Sequence, residues 1–156
     1  MATAPVEIPG LGTVFNKPGI ELLPHRDPFL FVDTLLSADE TGAVAEYTFT
    51  MEKNDFFKGH FPDFPIVPGV VLVETMAQAA GAGLVARGFF EGKKASFLFA
   101  KVDGAKFKRP VRPGDTFTTI VYTSKLKSII GVFEAKGYVN GELAAEGTLT
   151  CMLGGK

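Results

Sequence analysis

The stretch GHFPDFPIVPGVVLVETMAQ, from Gly59 to Gln78, decides how this sequence is interpreted. Its first half repeats proline every third residue and places His60, one of only two histidines in the chain, in front of that run. Its second half opens a predicted helix, Gly69–Arg87, of about five turns. Glu74 is the only ionisable residue of this segment before Arg87. A helix that is apolar on every side is typical of a buried position, so we expect a central helix with one carboxyl group in the core.

The rest of the chain favours strands. Ala43–Met51 alternates apolar and polar residues with period two, which predicts a strand covered on one side. Asn140-Gly141 is a strong hairpin signal, because a type I′ turn needs positive φ at both central residues. Further strands are predicted at Ala95–Asp103, Asp115–Lys127, Ser128–Val139 and Glu142–Leu153.

This pattern predicts an α+β fold in which an antiparallel sheet wraps one long helix. The small residues of the helix would let other backbone approach closely. We expect one domain over residues 21–156, preceded by an irregular arm over residues 1–20, since prolines and glycines are dense there.

Composition limits the classes of function. The chain of 156 residues has a net charge of −1, which gives no global basic field for nucleic acid. A single cysteine excludes an internal disulfide, and with two histidines it is too few for the usual zinc sites. The N-terminus lacks the basic and apolar regions of a signal peptide, and the apolar stretch Phe64–Val73 is only about half a membrane span. We therefore expect a cytoplasmic protein without metal, nucleic-acid or membrane partners.

Two interpretations of Glu74 stand side by side. A buried, unpaired carboxyl group costs several kcal/mol, so such a residue usually has a partner or a chemical role. Burial raises its pKa and keeps it protonated, as a general acid requires. The alternative is a glutamate that reaches solvent or pairs with a lysine. His60 likewise fits either a base or an ordinary packed histidine.

Two residues close to Glu74 in the sequence, Gln78 and Gly69, also fit a catalytic site. Gln78 lies four residues after Glu74 on the same helix face and could orient its carboxyl group. Gly69 starts the helix, where backbone N–H groups have no intrahelical acceptor and favour developing negative charge. A base, an acid and such an oxyanion donor are what β-elimination from a hydroxyacyl thioester requires.

The proline run does not determine the distance between His60 and the start of the helix at Gly69. If it stayed straight, His60 would lie up to ~28 Å from Gly69. Either the loop curls back, or the glutamate beside His60 comes from another chain.

Three motifs resemble the β-hydroxyacyl-acyl-carrier-protein dehydratases of fatty-acid synthesis. They are LPHRDPFLFVD (Leu23–Asp33), GHFPDFPIVPGVVLVETMAQAAG (Gly59–Gly81) and FKRPVRPGD (Phe107–Asp115). The resemblance implies a hot-dog fold and a homodimer or trimer of dimers, with His60 as catalytic histidine and Glu74 as the carboxylate supplied by the partner subunit. It implies dehydration of 3-hydroxyacyl-acyl carrier protein without a cofactor. Glutamate in the helix, where a double-bond-isomerising branch has aspartate, places the chain with the plain dehydratases.

Two departures from that family are visible. Asp63 stands where the family usually has glycine. We therefore expect the conformation of the His60 loop, or its electrostatics, to differ from the family's. The arm before Ile20 lacks the short helix expected there. The other histidine, His25, is predicted to be structural, because nothing titratable accompanies it at catalytic spacing.

The segment Lys101–Arg112 is basic and would suit docking of an acidic acyl carrier protein, or it is simply a solvated loop face. The proposed docking residues are Lys106, Lys108, Arg109 and Arg112. Val70 and Val73 are candidates for an acyl tunnel, or ordinary core. Competing functions are a hot-dog thioesterase and a non-catalytic acyl-binding module.

Overall fold

The computed structural model describes residue 10 and residues 12–154. Seven antiparallel strands form one sheet in the order β1-β2-β3-β5-β6-β7-β4. The strands are β1 Thr13–Pro18, β2 Thr34–Asp39, β3 Gly42–Thr48, β4 Phe97–Phe107, β5 Thr116–Leu126, β6 Ile130–Val139 and β7 Glu142–Leu153. The helices are α1 Gly19–Leu22, α2 Gly69–Ala86 and a 3₁₀ turn at Asp55–Lys58.

Helix α2 packs against the inner face of the sheet and forms the core with it. Its small residues allow the close approach that the sequence predicts. A Cβ at Gly83 would lie only 2.6 Å from the Ala43 Cβ, and one at Gly81 only 3.0 Å from the Phe97 ring. The helix is long and apolar enough to cross a membrane, yet 67% of it is buried inside the domain. It is therefore the core helix of this domain.

The predicted bounds of α2 and of β7 agree with the structure closely. The helix runs from Gly69 to Ala86, with Gly88 at a φ of +86° just beyond its end. Asn140 and Gly141 have φ values of 51° and 77°, as a type I′ turn between β6 and β7 requires. The predicted α+β architecture, one antiparallel sheet around one long helix, is confirmed.

The prediction of an irregular arm is wrong for residues 13–20. Thr13–Pro18 is strand β1, paired with β2, and Gly19 begins the short helix α1. Strand β1 lies at the sheet edge with its side chains mostly exposed, so no burial alternation marks it in the sequence. Its register shifts beside Asn16, which adopts a φ of 46°. Residues 1–9 and 11 lie outside the described residues.

Strand β4 forms the opposite edge of the sheet. Ten of its eleven residues are exposed. Several of them are large and apolar, namely Leu98, Phe99, Val102 and Phe107. Large apolar side chains on an exposed edge strand mark a surface suited to further association.

Candidate active site

The loop that carries His60 curls back on itself. The backbone N–H of Phe61 donates to Phe64 O at 3.1 Å, and the Phe64 N–H donates to Phe61 O at 3.0 Å. The Ile66 N–H then donates to His60 O at 2.9 Å. The proline run is therefore a closed turn and not a straight segment. Asp63 lies exposed in this turn.

The His60 ring is held in one orientation. Its Nδ1 lies 3.1 Å from Ile66 O, and because a carbonyl can only accept, Nδ1 carries the proton. The ring also stacks on Phe61 with centroids 4.2 Å apart. The second nitrogen, Nε2, then bears the free lone pair that a base needs.

Glu74 is held by Gln78 as the helical spacing predicts. The Gln78 Nε2–H donates to Glu74 Oε2 at 2.8 Å. The same amide nitrogen donates to Phe29 O at 2.9 Å, and Gln78 Oε1 accepts from the Phe31 N–H at 2.7 Å. Gln78 is 2% exposed, so its side chain is fixed by three contacts inside the core. The orientation of the Glu74 carboxyl group is fixed with it.

The surroundings of Glu74 favour the protonated acid. Burial raises the pKa of this carboxyl group, and the hydrogen bond from Gln78 opposes the shift as the smaller effect. A neutral carboxyl group can donate a proton to a leaving group.

Gly69 begins α2 where the Phe107 ring packs against it. A Cβ at this position would lie 2.8 Å from Phe107 Cζ, so only glycine fits without a shift of the ring. Pro68 is the N-cap, and its carbonyl accepts from the N–H groups of Val71 and Leu72. The N–H of Gly69 precedes this first helical turn and is available to a ligand.

One groove joins these residues. It has a volume of about 1030 Å³, and His60, Gly69 and Glu74 all line it. Most of its remaining wall is apolar and comes from the start of α2 and from β4. Val70 and Val73 are both part of that wall, although Val70 is 77% exposed. The groove has the size and lining of a site for a small, largely apolar molecule.

The predicted docking residues do not all lie at this groove. Lys108 and Arg109 line it, whereas Lys106 lines a separate groove on β4 to β7. Arg109 contacts Glu142 at 3.3 Å, so part of its charge is neutralised. The Arg112 guanidinium stacks over Phe64, 4.8 Å from the ring centre, beside the His60 loop.

The comparisons with known proteins identify the family. The model of the FabA-like domain matches residues 23–148. The chain belongs to the FabA-like family. It is 41% identical over 136 residues to a protein of Desulforamulus reducens named 3-hydroxyacyl-[acyl-carrier-protein] dehydratase FabZ, covering 87% of this chain and 94% of that one. A protein of the same name from Variovorax paradoxus is 39% identical, with coverage of 86% and 90%.

Solved structures show the same fold as this FabA-like chain. The dehydratase heterocomplex ApeI:P from Xenorhabdus doucetiae matches with a TM-score of 0.74 and 16% identity, over 90% of this chain and 93% of that one. The PaaI protein of E. coli matches with a TM-score of 0.57 and 19% identity, over 76% and 80%. These likenesses confirm the hot-dog fold.

Sequence reasoning missed one neighbour of Glu74 in this FabA-like domain. His25 Nε2 lies 3.6 Å from Glu74 Oε2, although the two residues are 49 positions apart. Residues that far apart in the sequence show no helical or strand periodicity that would predict their contact. Cys151 also borders the small cavity between His25 and Glu74. Within residues 10 and 12–154, no group of three or more His, Cys, Asp and Glu side chains is placed to hold a metal ion.

Proposed function

We propose that this FabA-like chain dehydrates 3-hydroxyacyl-[acyl-carrier-protein] to the trans-2-enoyl product, as a hydro-lyase of fatty-acid or related acyl-chain synthesis. The name shared by its relatives at about 40% identity supports this activity. The observation that carries the proposal is the groove that His60, Gly69 and Glu74 line together.

His60 acts as the base. Its Nδ1–H is directed to Ile66 O, which leaves Nε2 to face the substrate. Nε2 removes a proton from the α-carbon of the bound thioester, and the electron pair of that C–H bond moves toward the carbonyl. The Gly69 N–H donates to the thioester oxygen and stabilises this charge. Because the thioester itself accepts the electrons, the step uses no metal or organic cofactor.

Glu74 acts as the acid. Its carboxyl proton passes to the β-hydroxyl group, the Cβ–O bond breaks, and water leaves as the Cα–Cβ double bond forms. Gln78 orients the carboxyl group through its contact with Oε2. Positioned acids and bases each accelerate such steps by about 10² to 10⁴-fold.

The acyl carrier protein is proposed to dock at the basic rim of the groove. Lys108 and Arg109 line the groove, and Arg112 lies beside the His60 loop. Lys106 lies further along β4 and would extend the positive surface. An acidic carrier would be steered by these charges.

The active unit is proposed to be a homodimer or a trimer of dimers in the cytoplasm. The partner subunit supplies the glutamate that acts with each His60, so the Glu74 that lines the groove of one chain acts with the histidine of the other subunit. The exposed apolar residues of β4 border the groove, since Phe99, Val102 and Phe107 line it. A second subunit on this edge would close the groove and cover these side chains. Sedimentation analysis should show a dimer or larger species. A monomer at catalytic concentrations would contradict this assembly.

The proposed reaction is tested with a 3-hydroxyacyl thioester by recording enoyl absorbance and free thiol release together. We expect enoyl product without thiol. Thiol release without enoyl product would indicate a thioesterase, and tight acyl binding with neither product would indicate a binding module. Acyl thioesters of graded length, compared with Glu74→Gln at each length, then define the chain-length preference.

A further inference from the structure

His25 places a second imidazole ring beside the catalytic carboxyl group. Its Nε2 lies 3.6 Å from Glu74 Oε2, and both side chains are 18% exposed. The ring is nearly parallel to that of Phe97, with an interplanar angle of 17° and centroids 6.4 Å apart. Nearby, the Arg26 guanidinium donates to Leu23 O and His25 O, which fixes the backbone of this loop. His25 is thus held against Glu74 from its own chain.

The position of the His25 proton follows from the other ring nitrogen. His25 Nδ1 is buried and has no hydrogen-bond partner in the described part of the chain. A buried N–H without a partner is rarer and more costly than an unpaired acceptor. The proton of the neutral ring therefore belongs on Nε2, which faces Glu74. Burial also lowers the pKa of His25, which favours the neutral ring.

The side-chain nitrogens of Gln78 and His25 both lie near the same carboxyl oxygen of Glu74, Oε2. The Gln78 Nε2–H donates to Oε2 at 2.8 Å, and His25 Nε2 is 3.6 Å from that atom. In the neutral acid, which burial favours, the oxygen that accepts from Gln78 is the carbonyl oxygen, and the acidic proton is on Oε1. When Oε1 releases its proton, the new carboxylate already has two N–H donors beside it.

We propose that His25 is a positioning residue of the dehydration, whose Nε2–H holds Glu74 Oε2 and stabilises the carboxylate formed as the Oε1 proton passes to the departing hydroxyl group. This inference rests on the proposed function. In the step the Oε1–H bond breaks, the proton joins the leaving oxygen to form water, and the carboxylate keeps the electron pair. His25 donates a hydrogen bond and transfers no proton. The separation of 3.6 Å is longer than a hydrogen bond. The proposal requires it to shorten in the reacting complex, as catalytic hydrogen bonds commonly do.

Among the described residues, the other titratable or charged groups that line a cavity with Glu74 are His60, Lys108, Arg109 and Cys151. Cys151 on β7 borders the same small cavity, and burial, followed by the Glu74 charge, raises its pKa to about 11, so it stays a neutral thiol. Gln78 does not titrate, and His60 lies in the groove that Glu74 also lines. All of these groups stay the same when His25 is substituted, so a change in the titration of Glu74 that a new N–H donor at position 25 reverses is assigned to the lost donor.

The test compares His25→Leu with His25→Gln, because a glutamine side-chain amide can place an N–H where the imidazole Nε2–H stood. We expect His25→Leu to lower kcat by about 10- to 100-fold, the range for a lost hydrogen bond to a charged group. KM should stay within about twofold, since the donor acts on the leaving-group step. His25→Gln should recover most of the loss.

The pH profile separates positioning from packing. Loss of a donor to the carboxylate raises the pKa of Glu74. The limb of the kcat profile that belongs to Glu74 should therefore move to higher pH in His25→Leu and stay near its wild-type position in His25→Gln. Equal losses in both variants with an unmoved limb, or no loss in either, would overturn the proposal. If His25→Leu does not fold, a loss in His25→Gln as large as that of His25→Ala overturns it equally. A wild-type protein without dehydratase activity would instead refute the proposed function.

Discussion

Burial of the Glu74 carboxyl group opposes folding at neutral pH, because the ionised form favoured in the unfolded chain is penalised in the core. The folded state binds this proton more tightly than the unfolded state does. Stability is therefore lost as the pH rises from the unfolded pKa, near 4.5, toward the raised pKa of the folded protein. The proposed role of Glu74 as a general acid gives a reason for a carboxyl group at this position despite the cost.

Glu74→Gln should consequently be more stable than the wild type while being nearly inactive. The amide keeps an oxygen that accepts from Gln78 and carries no charge to bury. We expect the gain in Tm to grow as the pH increases above about 4.5 and to vanish at lower pH. Thermal unfolding between pH 4 and 8 measures it. A gain that is equally large at pH 4 would show that relief of charge burial is not the cause.

At the scale of elements, the fit of α2 into the sheet depends on individual glycines. At Gly83 an added Cβ would meet the Ala43 Cβ at 2.6 Å, while at Gly81 it would meet the edge of the Phe97 ring at 3.0 Å. A ring can shift by a few tenths of an ångström more easily than a paired strand can.

Gly83→Ala should therefore destabilise the fold by about 1–3 kcal/mol through overpacking. Gly81→Ala, the matched change two residues earlier, should be close to neutral because the helix propensity of alanine offsets the ring movement. Urea unfolding compares the two variants. Stabilisation of both by a similar amount would show that helix propensity outweighs the packing contact.

Elements with a strong local signal could be predicted from the sequence. Helix α2 is marked by its apolar run and by Gly88, and the β6–β7 hairpin is marked by Asn140-Gly141. Strand β1 could not be predicted, because its exposed residues at the sheet edge show no alternation. Strand β2 was also missed, since the buried Ser37 and Ala38 are adjacent and interrupt the period of two.

The candidate site could be predicted only where its contacts are local in the sequence. Glu74 and Gln78 are one helical turn apart, so their contact follows from local geometry. The curled His60 loop could not be deduced, because proline preferences alone favour an extended run. The approach of His25 to Glu74 depends on the tertiary fold and has no local signal.

At the scale of the whole molecule, the assembly determines which chain completes each site. If the partner subunit supplies the glutamate, a heterodimer of His60→Ala and Glu74→Gln has one site with both groups intact and one with neither. Purified heterodimers should then recover about half of the wild-type activity per dimer. Heterodimers as inactive as the parent variants would show that each site draws both groups from one chain.

Docking of the acyl carrier protein is also a property at the scale of the whole molecule, because it depends on charges at the rim of the groove. Lys108→Glu should raise KM for the carrier-bound substrate and leave KM for a small hydroxyacyl thioester within about twofold, because only the carrier meets the basic rim. Lys125→Glu is the matched control, since Lys125 is exposed on β5 and does not line the groove. Steady-state kinetics at low and high salt compare the variants. An equal rise of KM for both substrates would place Lys108 in the acyl site instead.

The central claim is that one imidazole and one neutral carboxyl group act together on a single bound acyl chain. A double-mutant cycle of kcat for dehydration, with His60→Ala, Glu74→Gln and the double variant, tests it most directly. Each single change should lower kcat by at least about 10²-fold, and the double variant should be little worse than either, since the groups act as a unit. Near-wild-type turnover in either single variant, or losses that multiply fully in the double variant, would contradict the account.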